Sequence, residues 1–224
     1  MIASSIGTSL NGVLTVAFAP ACAACDRVLD APLDGPVCGF CWSGVQPLAQ
    51  SDTAPTDHVD AWQAAGEYDG SLREIIHAFK YDGRRSLASP LAALMRDRGA
   101  DLLHVADLIV PVPLHPWRRL RRGFNQADDL ARRLDRPVCR ALWRTRATAP
   151  QAGLRPAQRR RNVRAAFRVS PFVDRSHLED ARVVLVDDVR TTGATLDACA
   201  AVLKTAGVRA VSALTVARAA LHGR

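Results

Sequence analysis

Lysine is nearly missing from this chain: 28 of its 30 basic residues are Arg, and only Lys80 and Lys204 are Lys. No stretch approaches the ~18 consecutive apolar residues of a membrane-spanning helix, so a span is excluded. There is no internal repeat, and 14 Gly with 13 Pro in 224 residues is ordinary. Collagen-like, solenoid and low-complexity readings are thereby excluded. No Lys or Arg precedes the apolar stretch from Val13 to Ala21, so the basic start of a secretion signal is missing. Ala19 and Pro20 likewise spoil a lipoprotein reading of Cys22. These residues are expected to form a short amphipathic helix instead, in a cytoplasmic protein.

What remains is ordinary in bulk: 48% hydrophobic and 23% charged residues. That suits one sizeable domain with a small appendage, burying roughly 70–75% of its unfolded surface. The net charge of +8 conceals an asymmetry. Residues 1–70 hold one Arg (Arg27) against eight acids. Residues 113–168 hold 16 Arg against Asp128, Asp129 and Asp135. Composition bias accounts for Arg over Lys, but not for the clustering. Such a concentrated positive field predicts a polyanionic ligand, either a phosphate ester, a pyrophosphate or a nucleic acid.

Cys22-Ala-Ala-Cys25 and Cys38-Gly-Phe-Cys41 form a C-x2-C-x12-C-x2-C array. Each CxxC turn can offer two thiolates to one tetrahedral ion, which reads as a structural zinc ribbon. Pro20, Pro32, Gly35 and Pro36 mark turns around two short strands. The rivals are a pair of disulfides, which suits an exported chain, and redox CxxC chemistry. Cys139 and Cys199 stand outside the array. Cys199 shares helical spacing with Leu196 and Leu203 and reads as a core thiol.

Domains are expected at residues 1–50 (helix and ribbon) and 59–224, with 42–58 as linker. Strands are expected at His58–Tyr68, Leu108–Val112, Arg182–Asp187 and Ala210–Val216. Helices are expected at Ser71–Lys80, Ser86–His104, Asn125–Leu134 and Ala194–Thr205. This alternation predicts a parallel, wound α/β sheet.

Val183-Val184-Leu185-Val186 reads as a strand buried on both faces, and Asp187 and Asp188 follow at its C-terminal end. Thr191, Thr192, Gly193, Ala194 and Thr195 then open a helix, so backbone N–H groups converge into a phosphate cradle. The paired acids can accept hydrogen bonds from vicinal hydroxyls or hold a hydrated magnesium ion.

This stretch resembles the phosphoribosyl pyrophosphate motif of type I phosphoribosyltransferases. The ordered set is similar to the ComF family of competence-associated proteins over essentially the whole chain. It comprises the ribbon, Phe79-Lys80-Tyr81-Asp82-Gly83, Pro111-Val112-Pro113-Leu114-His115, Arg122-Gly123-Phe124-Asn125-Gln126-Ala127 and Gln151-Ala152-Gly153-Leu154. Arg190 departs from that pattern. The resemblance implies catalytic roles for Asp187, Asp188 and Lys80, with Thr191–Thr195 on the 5′-phosphate. It implies a pyrophosphate loop containing Pro113, Leu114, His115, Arg118, Arg119, Arg122, Gly123, Asn125 and Gln126. Residues 145–164 would form a hood carrying Gln151, Arg159 and Asn162. Zinc is implied in the ribbon, and magnesium with phosphoribosyl pyrophosphate.

Three functions stay open. One is phosphoribosyl transfer to an acceptor the sequence does not name. A second is sensing of a phosphoribosyl compound without turnover. The third is handling single-stranded DNA in natural transformation, beside a translocase ATPase or recombination proteins. Few aromatics interleave with the basic block (Trp117, Phe124, Trp143, Phe167), which gives a stacking platform little support.

Overall fold

The computed structural model describes residues 10–12, 14–16, 18–48, 56–145 and 166–220. Four parallel strands make the central sheet: β1 (Ala61–Glu67), β2 (Leu108–Pro111), β5 (Arg182–Arg190) and β6 (Ala210–Arg218). Their order is β1-β6-β5-β2. Between β2 and β5 in the chain, β3 (Leu142–Arg144) and β4 (Phe167–Val169) pair antiparallel as a separate ribbon. The parallel α/β expectation is met. The hairpin lay beyond it, because its three-residue strands are joined across 22 intervening positions.

Residues on β5 alternate between two apolar layers, as a strand's period of two requires. Val184 and Val186 face one layer, with helices α2 (Gly70–Tyr81), α3 (Ala88–Arg98) and α6 (Gln126–Ala131). Val183 and Leu185 face the other, with α7 (Ala194–Thr205) and the hairpin residues Leu142 and Phe167. Helix α2 shows how the sequence builds this. The Asp69 carboxylate caps its start by accepting from Gly70 N at 2.7 Å. Leu72, Ile75, Ile76 and Phe79, spaced i, i+3, i+4, i+7, are all fully buried on one face. Lys80 sits in the last turn, where a cation suits the helix dipole.

The expected helix Ser86–His104 is divided: a 3-10 turn at Arg85–Leu87, then α3, then α4 (Ala100–His104) after Gly99. The short helix α5 (Pro116–Arg122) was not foreseen. Strands β5 and β6 run past their expected ends, to Arg190 and Arg218. Both ends of the expected linker hold defined contacts. Trp42 and Ser43 close the helix α1 (Gly39–Ser43), and Thr56 Oγ1 and His58 N both donate to Asp197 at 2.9 Å.

The cysteine region packs onto the sheet domain, with Cys22, Leu29, Val37 and Cys41 in the same buried cluster as Leu72 and Ile75. Its exit runs tightly against β1, where Glu67 N donates to the Gln46 carbonyl at 3.0 Å. A Cβ on Gly66 would lie 2.8 Å from both that oxygen and Leu72 Cδ2. Gly66→Ala is therefore expected to cost about 1–3 kcal/mol. Calorimetry should show a melting temperature lower by roughly 3–10 °C. An unchanged melt would show that this junction yields freely. Among the described residues no helix is long and apolar enough to cross a membrane.

Candidate active site and cysteine cluster

Because the strands are parallel, their C-terminal ends meet on one edge, where open α/β sheets hold ligands. A cleft of about 320 Å³ opens there, lined by Asp187, Asp188, Lys80, Arg144 and Gln126, among others. Lys80 Nζ lies 2.7 Å from Asp188 Oδ1, and both side chains are largely buried. Burial works against the Lys80 charge, but Asp188, then Asp187 and Tyr68, outweigh it and hold its pKa above the ordinary value. Asp187 is different. Burial, reinforced by the charge of Asp188, pushes its carboxyl up to about 7, although Asp188 N donates to it at 2.8 Å and Lys80 and Arg144 oppose the shift.

Beyond the acids the chain turns through Thr191–Gly193 into α7. Gly193 caps that helix at φ +74, and Thr192 Oγ1 accepts from Ala194 N at 3.4 Å. Residues Asp187 and Val189 to Leu196 enclose a small hollow at this helix start. Thr191 and Thr195 also line the main cleft. The twelve-residue helix thus presents its free N–H groups beside the two carboxylates.

The expected pyrophosphate loop is split by the structure. Pro113, Leu114, Arg122, Asn125 and Gln126 line the cleft. Arg122 donates to Gln126 Oε1 at 3.3 Å and to Tyr81 Oη at 3.2 Å, with its guanidinium 4.8 Å from the Tyr81 ring centre. Because Arg122 occupies Oε1, Gln126 presents its amide NH2, and that buried Nε2 has no hydrogen-bond partner among the described residues. An unmet donor inside a polar cleft fits an oxygen-rich ligand. Asn125 Nδ2 donates to the Val112 carbonyl at 3.2 Å. His115 instead caps α5, accepting from Trp117 N at 3.3 Å. Arg119 and Gly123 line a neighbouring cleft of about 300 Å³ together with Arg132, Arg140 and Trp143. The backbone of Arg118 lies in α5. Gln151, Arg159 and Asn162 lie outside the described residues.

Sequence reasoning missed Arg144. It ends β3, is 6% exposed, and turns into the cleft, where its charge opposes the rise at Asp187. The signal available was the alternation of Leu142-Trp143-Arg144, in which a short strand's period of two puts Arg144 on the same inward face as Leu142. Cys199 is fully buried, and burial raises its thiol well above the usual range. The core reading of that residue holds.

At the other end of the chain, the four cysteine sulfurs all lie within 4.8 Å of one another. Cys25 Sγ and Cys38 Sγ are 3.9 Å apart. Zn–S bonds of about 2.3 Å place tetrahedral sulfurs about 3.8 Å apart, so the donor set fits zinc. Cys22 Sγ accepts backbone N–H bonds from Cys38 at 3.3 Å and Ala24 at 3.5 Å. Burial opposes its ionisation, but those amides bring it down to about 6. Cys41, burdened by burial and by its sulfur neighbours, is pushed up to about 12. The expected pair of ribbon strands is reduced to one bridge, Ala21 with Val28.

Paired acids at a strand end, the loop that opens α7 and a parallel sheet define a phosphoribosyltransferase-type domain, and the phosphoribosyl transferase domain family matches residues 120–223. Competence protein F of Haemophilus influenzae is 34% identical over 222 residues, covering 93% of this chain and 95% of that protein. DNA utilization protein YhgH of Escherichia coli K12 is 38% identical over 170 residues, covering 70% and 73%. The chain belongs to the ComF family of competence proteins. A solved orotate phosphoribosyltransferase from Aeropyrum pernix overlaps 64% of this chain and 62% of its own, at 22% identity and a TM-score of 0.38.

Proposed function

We propose that the cleft binds phosphoribosyl pyrophosphate with magnesium and transfers its phosphoribosyl group to an acceptor. The observation that carries this reading is the set of groups at one strand end: Asp187 and Asp188, with Lys80 2.7 Å from Asp188, beside the loop that opens α7. The two acids would accept hydrogen bonds from the ribose hydroxyls, and the loop amides would hold the 5′-phosphate. Arg122, Arg144 and the unmet Gln126 donor would face the pyrophosphate. In the transfer, the acceptor's lone pair forms a bond to ribose C1 while the C1–O bond breaks, and pyrophosphate leaves with that electron pair. Guanidinium groups fixed in a partly dry cleft stabilise the charge on that leaving group. Magnesium bound with the diphosphate would supply further charge neutralisation. At the N-terminus, Cys22, Cys25, Cys38 and Cys41 would hold one structural zinc.

A second reading is a competence role in handling single-stranded DNA, with a translocase or recombination proteins as partners. Trp143 and Phe172 favour it: both are exposed, their ring centres are 6.4 Å apart, and Arg168 pairs with Trp143 across the hairpin. Bases could stack on such a platform.

Calorimetric titration with phosphoribosyl pyrophosphate and magnesium, followed by a pyrophosphate-release assay with candidate acceptors, separates the readings. Binding with turnover supports transfer, and binding alone supports a sensor. No binding, with DNA affinity falling steeply in salt, supports the second reading. Arg122→Gln sharpens the test. It is expected to weaken phosphoribosyl pyrophosphate binding about tenfold or more, but ribose 5-phosphate binding less than about twofold, because only the former brings a diphosphate. If Arg122 instead contacts a nucleic-acid backbone, the salt slope of DNA binding should fall by about one unit.

A further inference from the structure

Arg190 closes β5 directly ahead of the loop that opens α7, and its side chain folds back beneath that loop. Its guanidinium carbon lies 3.5 Å from the centre of the Trp62 ring, which β1 contributes from two strands away. Gly193 sits at its Nε–Nη2 edge. A Cβ there would fall 3.0 Å from Arg190 Nε and 3.3 Å from Nη2. The guanidinium thus lies on the indole, and its Nε–Nη2 edge takes the space a side chain at position 193 would need.

This cation is half-buried, and among the described residues no ion pair includes it. Burial lowers its pKa, yet an arginine remains protonated at any physiological pH. A partly desolvated charge exerts a stronger field on its surroundings than a solvated one. What lies above it is the turn through Gly193.

Building on the phosphoribosyl reading of the cleft, we propose that Arg190 is a positioning and specificity residue for the phosphate loop. It props Gly193 in its left-handed turn, and it sets a fixed positive charge beneath the amides, so that the loop favours a dianionic phosphate monoester over a monoanion of the same shape. The amides alone reward oxygen geometry. The buried charge rewards the second negative charge.

Ribose 5-phosphate and ribose 5-sulfate share their shape but differ by one charge at pH 8, so calorimetric titration of both reads this directly. Wild type is expected to bind the phosphate at least about tenfold more tightly than the sulfate. Arg190→Met should weaken phosphate binding about tenfold but sulfate binding only about threefold, because the attraction of one cation scales with ligand charge, so the preference narrows about threefold. Arg190→Lys keeps a cation and should retain most of the preference, and it guards against a methionine variant that folds poorly. Equal weakening toward both ligands would reduce Arg190 to a prop and overturn the specificity claim. So would unchanged binding in Arg190→Met. A wild-type chain that binds neither ligand overturns the phosphoribosyl reading itself, and this proposal with it.

Discussion

Asp187→Asn and Asp188→Asn should both weaken ribose 5-phosphate binding, yet shift stability in opposite directions. On the phosphoribosyl reading, each removes one charge-assisted acceptor for a sugar hydroxyl, so each should cost about 1.5–3 kcal/mol of affinity, and the double variant roughly 3–6. Their surroundings differ. Asp187 titrates near 7 because burial and Asp188 disfavour its charge. The folded state therefore holds a proton that the unfolded chain gives up near 3.9. That contribution to stability is complete below pH 4 and is lost as pH rises through about 7. Asp187→Asn removes this loss and should stabilise the fold by on the order of 2–4 kcal/mol at pH 8, but hardly at pH 3.5. Asp188→Asn does the reverse. It strands the Lys80 ammonium, which is only 14% exposed, and should cost about 3–5 kcal/mol. Denaturant melts at the two pH values give the signs. Equal stability changes in both variants would mean that the acids share one environment and that the assignment above is wrong.

Removal of the Cys38 thiol carries the second large effect. Elemental analysis of wild type should find about one zinc per chain, and Cys38→Ser should lose most of it. Structural zinc commonly contributes more than about 10 kcal/mol to so small a unit. Loss of the metal should therefore expose residues 20–45 to protease, while β1, β5 and β6 stay protected. The junction at Cys22, Leu29 and Val37 shares its cluster with Leu72 and Ile75, so the sheet domain should also melt lower. Mass spectrometry showing two disulfides and no metal would overturn the zinc reading.

Local features were legible beforehand. The CxxC spacing, the buried face of α2 and the Val-rich strand ending in two acids each lie within about twenty residues. Their chemistry is set by sequence neighbours. Helix α5 had a local signature too, with Pro116 at its first position and Gly123 in the left-handed conformation at its end, but Arg-rich polarity masked it. What could not be read was non-local. Arg144 reaches the cleft only because β3 pairs with β4, and Arg190 meets Trp62 only because β6 brings β1 near β5. The division of the basic loop between two clefts likewise depends on how α5 turns away from β2, which no spacing encodes.

The order β1-β6-β5-β2 also has a consequence for how the chain is made. β1 has one neighbour in the sheet, and its Ala61 pairs with Ser212, about 150 residues later. At roughly 5–20 residues per second, a ribosome needs about 8–30 s to cover that distance. Throughout that interval β1 is an unpaired edge carrying Trp62, open to contact with other chains. The four-cysteine unit is complete before β1 emerges and, on the zinc reading, can fold at once. Nascent chains should therefore show an early protected N-terminal knot and a sheet that closes last, at its first strand.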